Sequence, residues 1–81
     1  MNVQVQFFSR LRDLTGESEL ELDIPERTRV TELLGILYER TPALCAWDKS
    51  ILIAAGLEFV DRNYVLKKND RISIMPPVQG G

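Results

Sequence analysis

One stretch of this chain carries an extended helical period, and the rest must be arranged around it. Val30, Leu33, Leu34, Leu37 and Tyr38 fall at i, i+3, i+4, i+7 and i+8, the spacing of a single core-facing stripe. Thr28 is the expected N-cap, and Pro42 ends the helix because its ring bars further α continuation. Gly35 lies off the stripe and weakens the helix somewhat, with no functional need for it in the pattern. A lone amphipathic helix must cover an apolar surface supplied by other elements, and the flanking segments read as strands.

Before the helix, Val3, Val5 and Phe7 share one parity while Asn2, Gln4 and Gln6 take the other. That is the period of a half-buried strand. A second alternating run places Leu20, Leu22 and Ile24 inward and Glu17, Glu19, Glu21 and Asp23 outward. The acids solvate the exposed side of an edge or surface strand, which Pro25 ends. Between the two runs, Ser9 to Leu14 reads as a short helix or turn, with Ser9 as N-cap and Gly16 as terminator.

After the helix, Ala43 to Ser50 is a connector with a helical turn, in which Leu44 and Trp47 form a lid over the core. Ile51 to Ala55 is a continuous apolar run, as expected of a central strand lying under the helix. Gly56 marks a turn, Glu58-Phe59-Val60 a short strand, and Asp61-Arg62-Asn63 another turn; Leu66 then returns to the core. Lys67 to Asp70 is a polar turn with Asn69 suited to a left-handed position, and Arg71 to Met75 is the last strand, Ile72 and Ile74 inward.

One helix laid across one face of a mixed sheet of about five strands is an α+β layer arrangement. The first and last strands are the natural pair for its centre, which gives the ubiquitin-like β-grasp architecture. Residues 1–75 form that domain, and residues 76–81 an extended C-terminal arm.

Composition narrows the chemistry. The 81 residues include no histidine, so there is no imidazole base, no Ser-His-Asp triad and no His-containing zinc site. A single cysteine, Cys45, forms no intrachain disulfide; it suits a reducing cytosol and reads as a small, inert residue. Ten Lys plus Arg against twelve Asp plus Glu give a net charge of −2, which argues against nucleic acid as a partner. No apolar run approaches the ~18 residues of a membrane span, and the N-terminus lacks the pattern of a signal peptide. The expectation is a cytoplasmic protein with no catalytic set of its own and no bound cofactor or metal. A chain this small buries only ~60% of its unfolded surface and has a thin core, which argues against a deep reaction pocket.

The remaining unusual feature is the end, Met75-Pro76-Pro77-Val78-Gln79-Gly80-Gly81. Pro76 and Pro77 cannot donate to a sheet, so they close the last strand and hold the backbone extended. At ~3.3–3.6 Å per residue, the segment from Pro76 onward can project ~20 Å. Gly80 and Gly81 have no Cβ, which lets the backbone enter a narrow channel and an enzyme approach the terminal carboxylate.

This terminus resembles the Pro-Pro-Val-x-Gly-Gly end of the small, sulfur-carrier subunits of molybdopterin synthase, a ubiquitin-like family. Phe7-Phe8 followed by Leu11-Arg12-Asp13-Leu14-Thr15-Gly16 adds to the resemblance, as do Glu58-Phe59-Val60 and Leu66-Lys67-Lys68-Asn69-Asp70. Gly56 stands where the family usually has Asn, and Asn69 where it usually has Gly; both types tolerate positive φ, so both turns are kept.

The resemblance implies that a ubiquitin-activating-like adenylating enzyme uses ATP and magnesium to convert the Gly81 carboxylate to an acyl-adenylate. A sulfur donor system then gives a Gly81 thiocarboxylate. The arm of Pro76, Pro77, Val78, Gln79 and Gly80 carries that group into a pocket of the large catalytic subunit, within a heterotetramer.

Docking calls for an apolar patch beside the arm. Phe8 has the outward parity of Gln4 and Gln6, and Met75 that of Arg71 and Ser73. With the first and last strands adjacent, both face away from the helix, with Phe59 near them, and together they form the expected partner interface. Two other readings remain open on the sequence. One is a β-grasp carrier for thiamin, cysteine or tRNA thiolation, which usually lacks the Pro-Pro-Val neck. The other is a ubiquitin-like tag or interaction module joined to lysine through Gly81.

Overall fold

The computed structural model describes residues 1–77. Strand β1 (Asn2–Phe7) pairs antiparallel with β2 (Glu19–Asp23), Val3 opposite Leu22 and Val5 opposite Leu20. The connection holds the short helix α1 (Arg10–Thr15), which ends at Gly16 in the left-handed region, φ 74°. Helix α2 (Val30–Arg40) is followed by a 3-10 helix, Pro42–Trp47. Strands β3 (Leu52–Ala55), β4 (Glu58–Phe59) and β5 (Arg71–Met75) complete one five-stranded sheet in the order β2-β1-β5-β3-β4.

The first and last strands do lie side by side. They run parallel, with Val5 beside Ile72 and Phe7 beside Ile74, while every other pairing is antiparallel. A parallel pair needs a long crossover, and here the intervening elements, α2 included, provide it. The stripe predicted for the helix is buried as Val30, Leu33, Leu34 and Leu37. It joins Val3, Val5, Phe7, Leu11, Ile53, Leu66, Ile72 and Ile74 in a single core on one side of the sheet. Leu20 and Leu22 on the edge strand are half-buried, and Leu44 closes the core from the 3-10 helix.

Two local expectations are corrected. Arg29, in extended conformation, rather than Thr28, is the residue before the first turn of α2. The Arg29 N–H donates to the Glu32 carboxylate at 2.9 Å, whereas Thr28 is buried in the preceding loop, its hydroxyl donating to the Pro25 carbonyl at 2.6 Å. The Leu66 N–H also donates to the Thr28 carbonyl, so Thr28 serves the loop packing rather than the helix end. The second correction concerns β3, which lies between β5 and β4 and is not central; β5 takes that place. Its unbroken apolar run arises because Ile53 faces the core while Leu52 and Ala54 pair with Met75 and Phe59 on the other side.

The turn residues behave as their chemistry predicts. Gly56 and Asn69 have φ values of 63° and 66°. The Asn69 N–H then donates to the Asn2 carbonyl at 2.8 Å, tying the last turn to the start of β1.

Candidate functional site

Strand β5 ends at Met75, and Pro76 and Pro77 leave the sheet half-buried. Sheet register decides what surrounds them. On the face opposite α2, Met75 lies opposite Leu52, Ala54 lies opposite Phe59, and Phe8 continues β1 beside the end of β5. The result is a shallow hollow of about 310 Å³ lined by Phe8, Ser9, Leu52, Phe59, Met75, Pro76 and Pro77. Phe59 is 71% exposed and Phe8 41%, although both are large and apolar. Phe8 and Met75, read from parity as outward, and Phe59, expected near them, thus converge on the base of the neck.

The structure adds members that sequence reasoning missed. Leu52 was hidden in the uniform run 51–55, where no alternation assigns a face. Ser9, read only as a helix cap, lines the hollow as well, and Leu57, two residues before Phe59 in sequence, is fully exposed outside it. Val78, Gln79, Gly80 and Gly81 lie outside the described residues, so the far part of the arm and its terminal carboxylate have no geometry here.

A second hollow, about 350 Å³, flanks the other side of the neck and is lined by Ser9, Arg10, Trp47, Pro76 and Pro77. Trp47 packs on the core, as a lid would, and also forms this wall. Its position is fixed by the residue that follows it. Asp48 accepts a hydrogen bond from the Tyr38 hydroxyl at 2.5 Å and one from Arg62 Nη1 at 2.8 Å, and Arg62 Nη2 donates to the Asp48 carbonyl. These bonds join α2, the connector and the loop after β4.

The ionisation states follow from this network. The Tyr38 hydrogen bond, then that of Arg62, holds the Asp48 carboxyl below its ordinary value. Burial, reinforced by the bond to Asp48, pushes the Tyr38 phenol well above its own. The network is a clamp with every member engaged, not a reactive pair. Among the described residues no group of His, Cys, Asp and Glu could hold a metal ion, and Cys45 is exposed. No helix of the described residues is long and apolar enough to cross a membrane. What the site offers chemically is an exposed apolar surface at the root of the C-terminal segment.

A five-stranded mixed sheet with parallel terminal strands and one covering helix defines a ubiquitin-like β-grasp protein. The ThiS family matches residues 5–81, nearly the whole chain, and the chain belongs to that family. It is 30% identical to the molybdopterin synthase sulfur carrier subunit of Caenorhabditis briggsae, covering 100% of this chain and 99% of that one. Among solved structures it is similar to subunit 1 of a molybdopterin converting factor from Pyrococcus furiosus, with a TM-score of 0.87 and 29% identity. That match covers 96% of this chain and 99% of the other. A complex of subunits 1 and 2 of molybdopterin-converting factor from Helicobacter pylori contains a chain 33% identical, with a TM-score of 0.74 and full coverage of both.

Proposed function

We propose that this chain is the sulfur carrier subunit of a molybdopterin synthase, and that it carries sulfur as a thiocarboxylate on Gly81. The observation that carries this reading is an apolar surface, exposed in the isolated chain, that is continuous with the neck of a Pro-Pro-Val-x-Gly-Gly terminus. End-to-end similarity to named carrier subunits supports it.

The chemistry follows from the poor reactivity of a carboxylate, from which expulsion of oxide is costly. A Gly81 carboxylate oxygen attacks the α-phosphorus of ATP, bound with magnesium on an adenylating partner, and pyrophosphate leaves. The resulting acyl-adenylate has a stable leaving group. Sulfur delivered by a donor system at the hydrosulfide level attacks the acyl carbon, AMP leaves, and the product is the thiocarboxylate, whose sulfur is soft, largely ionised near neutral pH and nucleophilic toward a pterin precursor. The large subunit supplies the acid–base and cationic groups. Phe8, Phe59 and Met75 dock against it, and Pro76 to Gly80 reach into its pocket. The reaction takes place in the cytoplasm, where the lone Cys45 stays reduced.

Mass spectrometry of the chain co-expressed with its adenylating partner tests the proposal. The expected result is one oxygen exchanged for sulfur at the C-terminus, without higher-mass conjugates on a denaturing gel. An unmodified terminus, or lysine conjugates in its place, rejects it.

A further inference from the structure

The ladder between β1 and β5 stops at an identifiable atom. In a parallel pair, a residue whose N–H bonds to the carbonyl of residue j offers its own carbonyl to the N–H of j+2. Here the Gln4 N–H donates to the Asp70 carbonyl at 2.9 Å, and the Phe8 N–H to the Ile74 carbonyl at 3.2 Å. The partner that the Phe8 carbonyl would take next is the N–H of residue 76. Residue 76 is proline and has none.

The Phe8 carbonyl is satisfied elsewhere. It accepts from the Leu11 N–H of α1 at 3.1 Å, which requires the chain to turn back at once. Ser9 makes that turn with φ 51° and ψ −128°, a conformation that a residue with a Cβ adopts only under strain. The Ser9 side chain makes no capping bond, while its carbonyl accepts from the N–H groups of Arg12 and Asp13 at 3.1 and 3.3 Å. The strain therefore belongs to the backbone route and not to a side-chain function. Ser9 also lines both hollows that flank Pro76 and Pro77.

We propose that Ser9 and Pro76 act together to release the neck from the sheet. Pro76 denies the Phe8 carbonyl a strand partner, and the strained turn at Ser9 hands that carbonyl to α1. Phe8 is thereby pinned on both sides, through its N–H to β5 and its carbonyl to α1. Its side chain is held outward beside the neck, and Pro76 stays off the ladder. Ser9 is in this sense a positioning residue. Its consequence for docking rests on the carrier reading above, whereas the hydrogen-bond exchange is a property of the chain alone.

Residue-resolved amide hydrogen exchange on the full chain tests the device. Pro76→Ala restores the missing donor. The expected result is a protected amide at position 76 and an about tenfold faster exchange of the Leu11 amide as its acceptor is contested. Ser9→Gly keeps the turn without its strain, so the Leu11 amide exchanges no faster than in the wild type and the thermal midpoint lies above that of Ser9→Ala, which keeps the strain. Ser9→Ala itself leaves the Leu11 amide as in the wild type. An unprotected amide at position 76 with Leu11 unchanged, or a Ser9→Gly midpoint below that of Ser9→Ala, overturns the proposal.

Binding to the large molybdopterin synthase subunit encoded in the same genome separates the two ideas. Pro76→Ala is expected to weaken binding about fivefold through lost preorganisation, with Ser9→Ala unaffected. If Phe8→Ala weakens binding and Pro76→Ala does not, the release device is wrong. If Phe8→Ala itself binds normally, the docking assignment fails instead, and the exchange data still judge the device.

Discussion

On the helix side of the β1–β5 pair, Val3, Val5, Phe7, Ile72 and Ile74 are each at most 3% exposed. On the other side of the sheet, Phe8 and Phe59 are 41% and 71% exposed. Where β1 and β5 end, inner and outer apolar side chains are consecutive in the chain, Phe7 with Phe8 and Ile74 with Met75. The difference lies in what covers them. The inner face has α2, and burial there is worth roughly 25 cal/mol per Å² of apolar area removed from water. Among the described residues no element covers the outer face, so its apolar area contributes little to folding. In a thin-cored domain, such residues are the part of the sequence not needed for the fold.

The sharpest way to break this division is to truncate one residue on each face. Leu33→Ala, at a fully buried position, is expected to cost about 3 kcal/mol in urea unfolding, the sum of lost transfer energy and a residual cavity. Phe59→Ser should stay within about 0.5 kcal/mol of the wild type in the same experiment. A large loss from Phe59→Ser would show that the outer face also stabilises the monomer.

Binding should reverse the ranking. Phe8→Asp and Met75→Asp are each expected to weaken association with the large subunit by about 2 kcal/mol or more, read by titration calorimetry, with the far-ultraviolet circular dichroism unchanged. Affinities equal to the wild type would remove the outer face from the interface.

A smaller effect separates the clamp behind Trp47 from both faces. Asp48 titrates below its ordinary value of 3.8 in the folded chain, so the unfolded chain binds its proton first as pH falls. The stability it contributes is complete above that ordinary value and is lost as pH drops through the lower folded one. The thermal midpoint of Asp48→Asn should therefore fall less than that of the wild type between pH 5 and pH 2. Parallel curves would show that the clamp contributes nothing to acid sensitivity.

The smallest change tests the solvent side of the helix. Gly35 is exposed, and a Cβ built on it meets nothing within 4 Å. Gly35→Ala should raise stability by roughly 0.5–1 kcal/mol through helix propensity alone and leave partner affinity unchanged. A loss of affinity would place the back of α2 in the interface.

Much of this was legible in the residues. Elements with a clear period, β1, α2 and β5, are recognisable because their neighbours in sequence determine which side they bury. Gly16, Gly56 and Asn69 were readable as left-handed positions, because positive φ is a property of the residue type and its turn. The cap at Arg29 was not, since Thr28 has the better capping chemistry and lost it to a bond with the Pro25 carbonyl that depends on loop packing. The place of β3 was equally hidden. A run without alternation shows that both sides meet apolar neighbours, but not which strands supply them.

The candidate site divides the same way. Parity alone put Phe8 and Met75 on the outer face, and the two prolines alone marked where β5 must stop. That Phe59 and Leu52 join them around one hollow was decided by the β5–β3 and β3–β4 registers. The strain at Ser9 was decided by a carbonyl that lost its partner to a proline 68 positions away. Local sequence determined the periods, the turns and the chemistry of the terminus, because these depend on bonded neighbours and side-chain type. Only the tertiary structure decided which residues share a surface, because hydrogen-bond register between strands distant in sequence is set by the packing of the whole core.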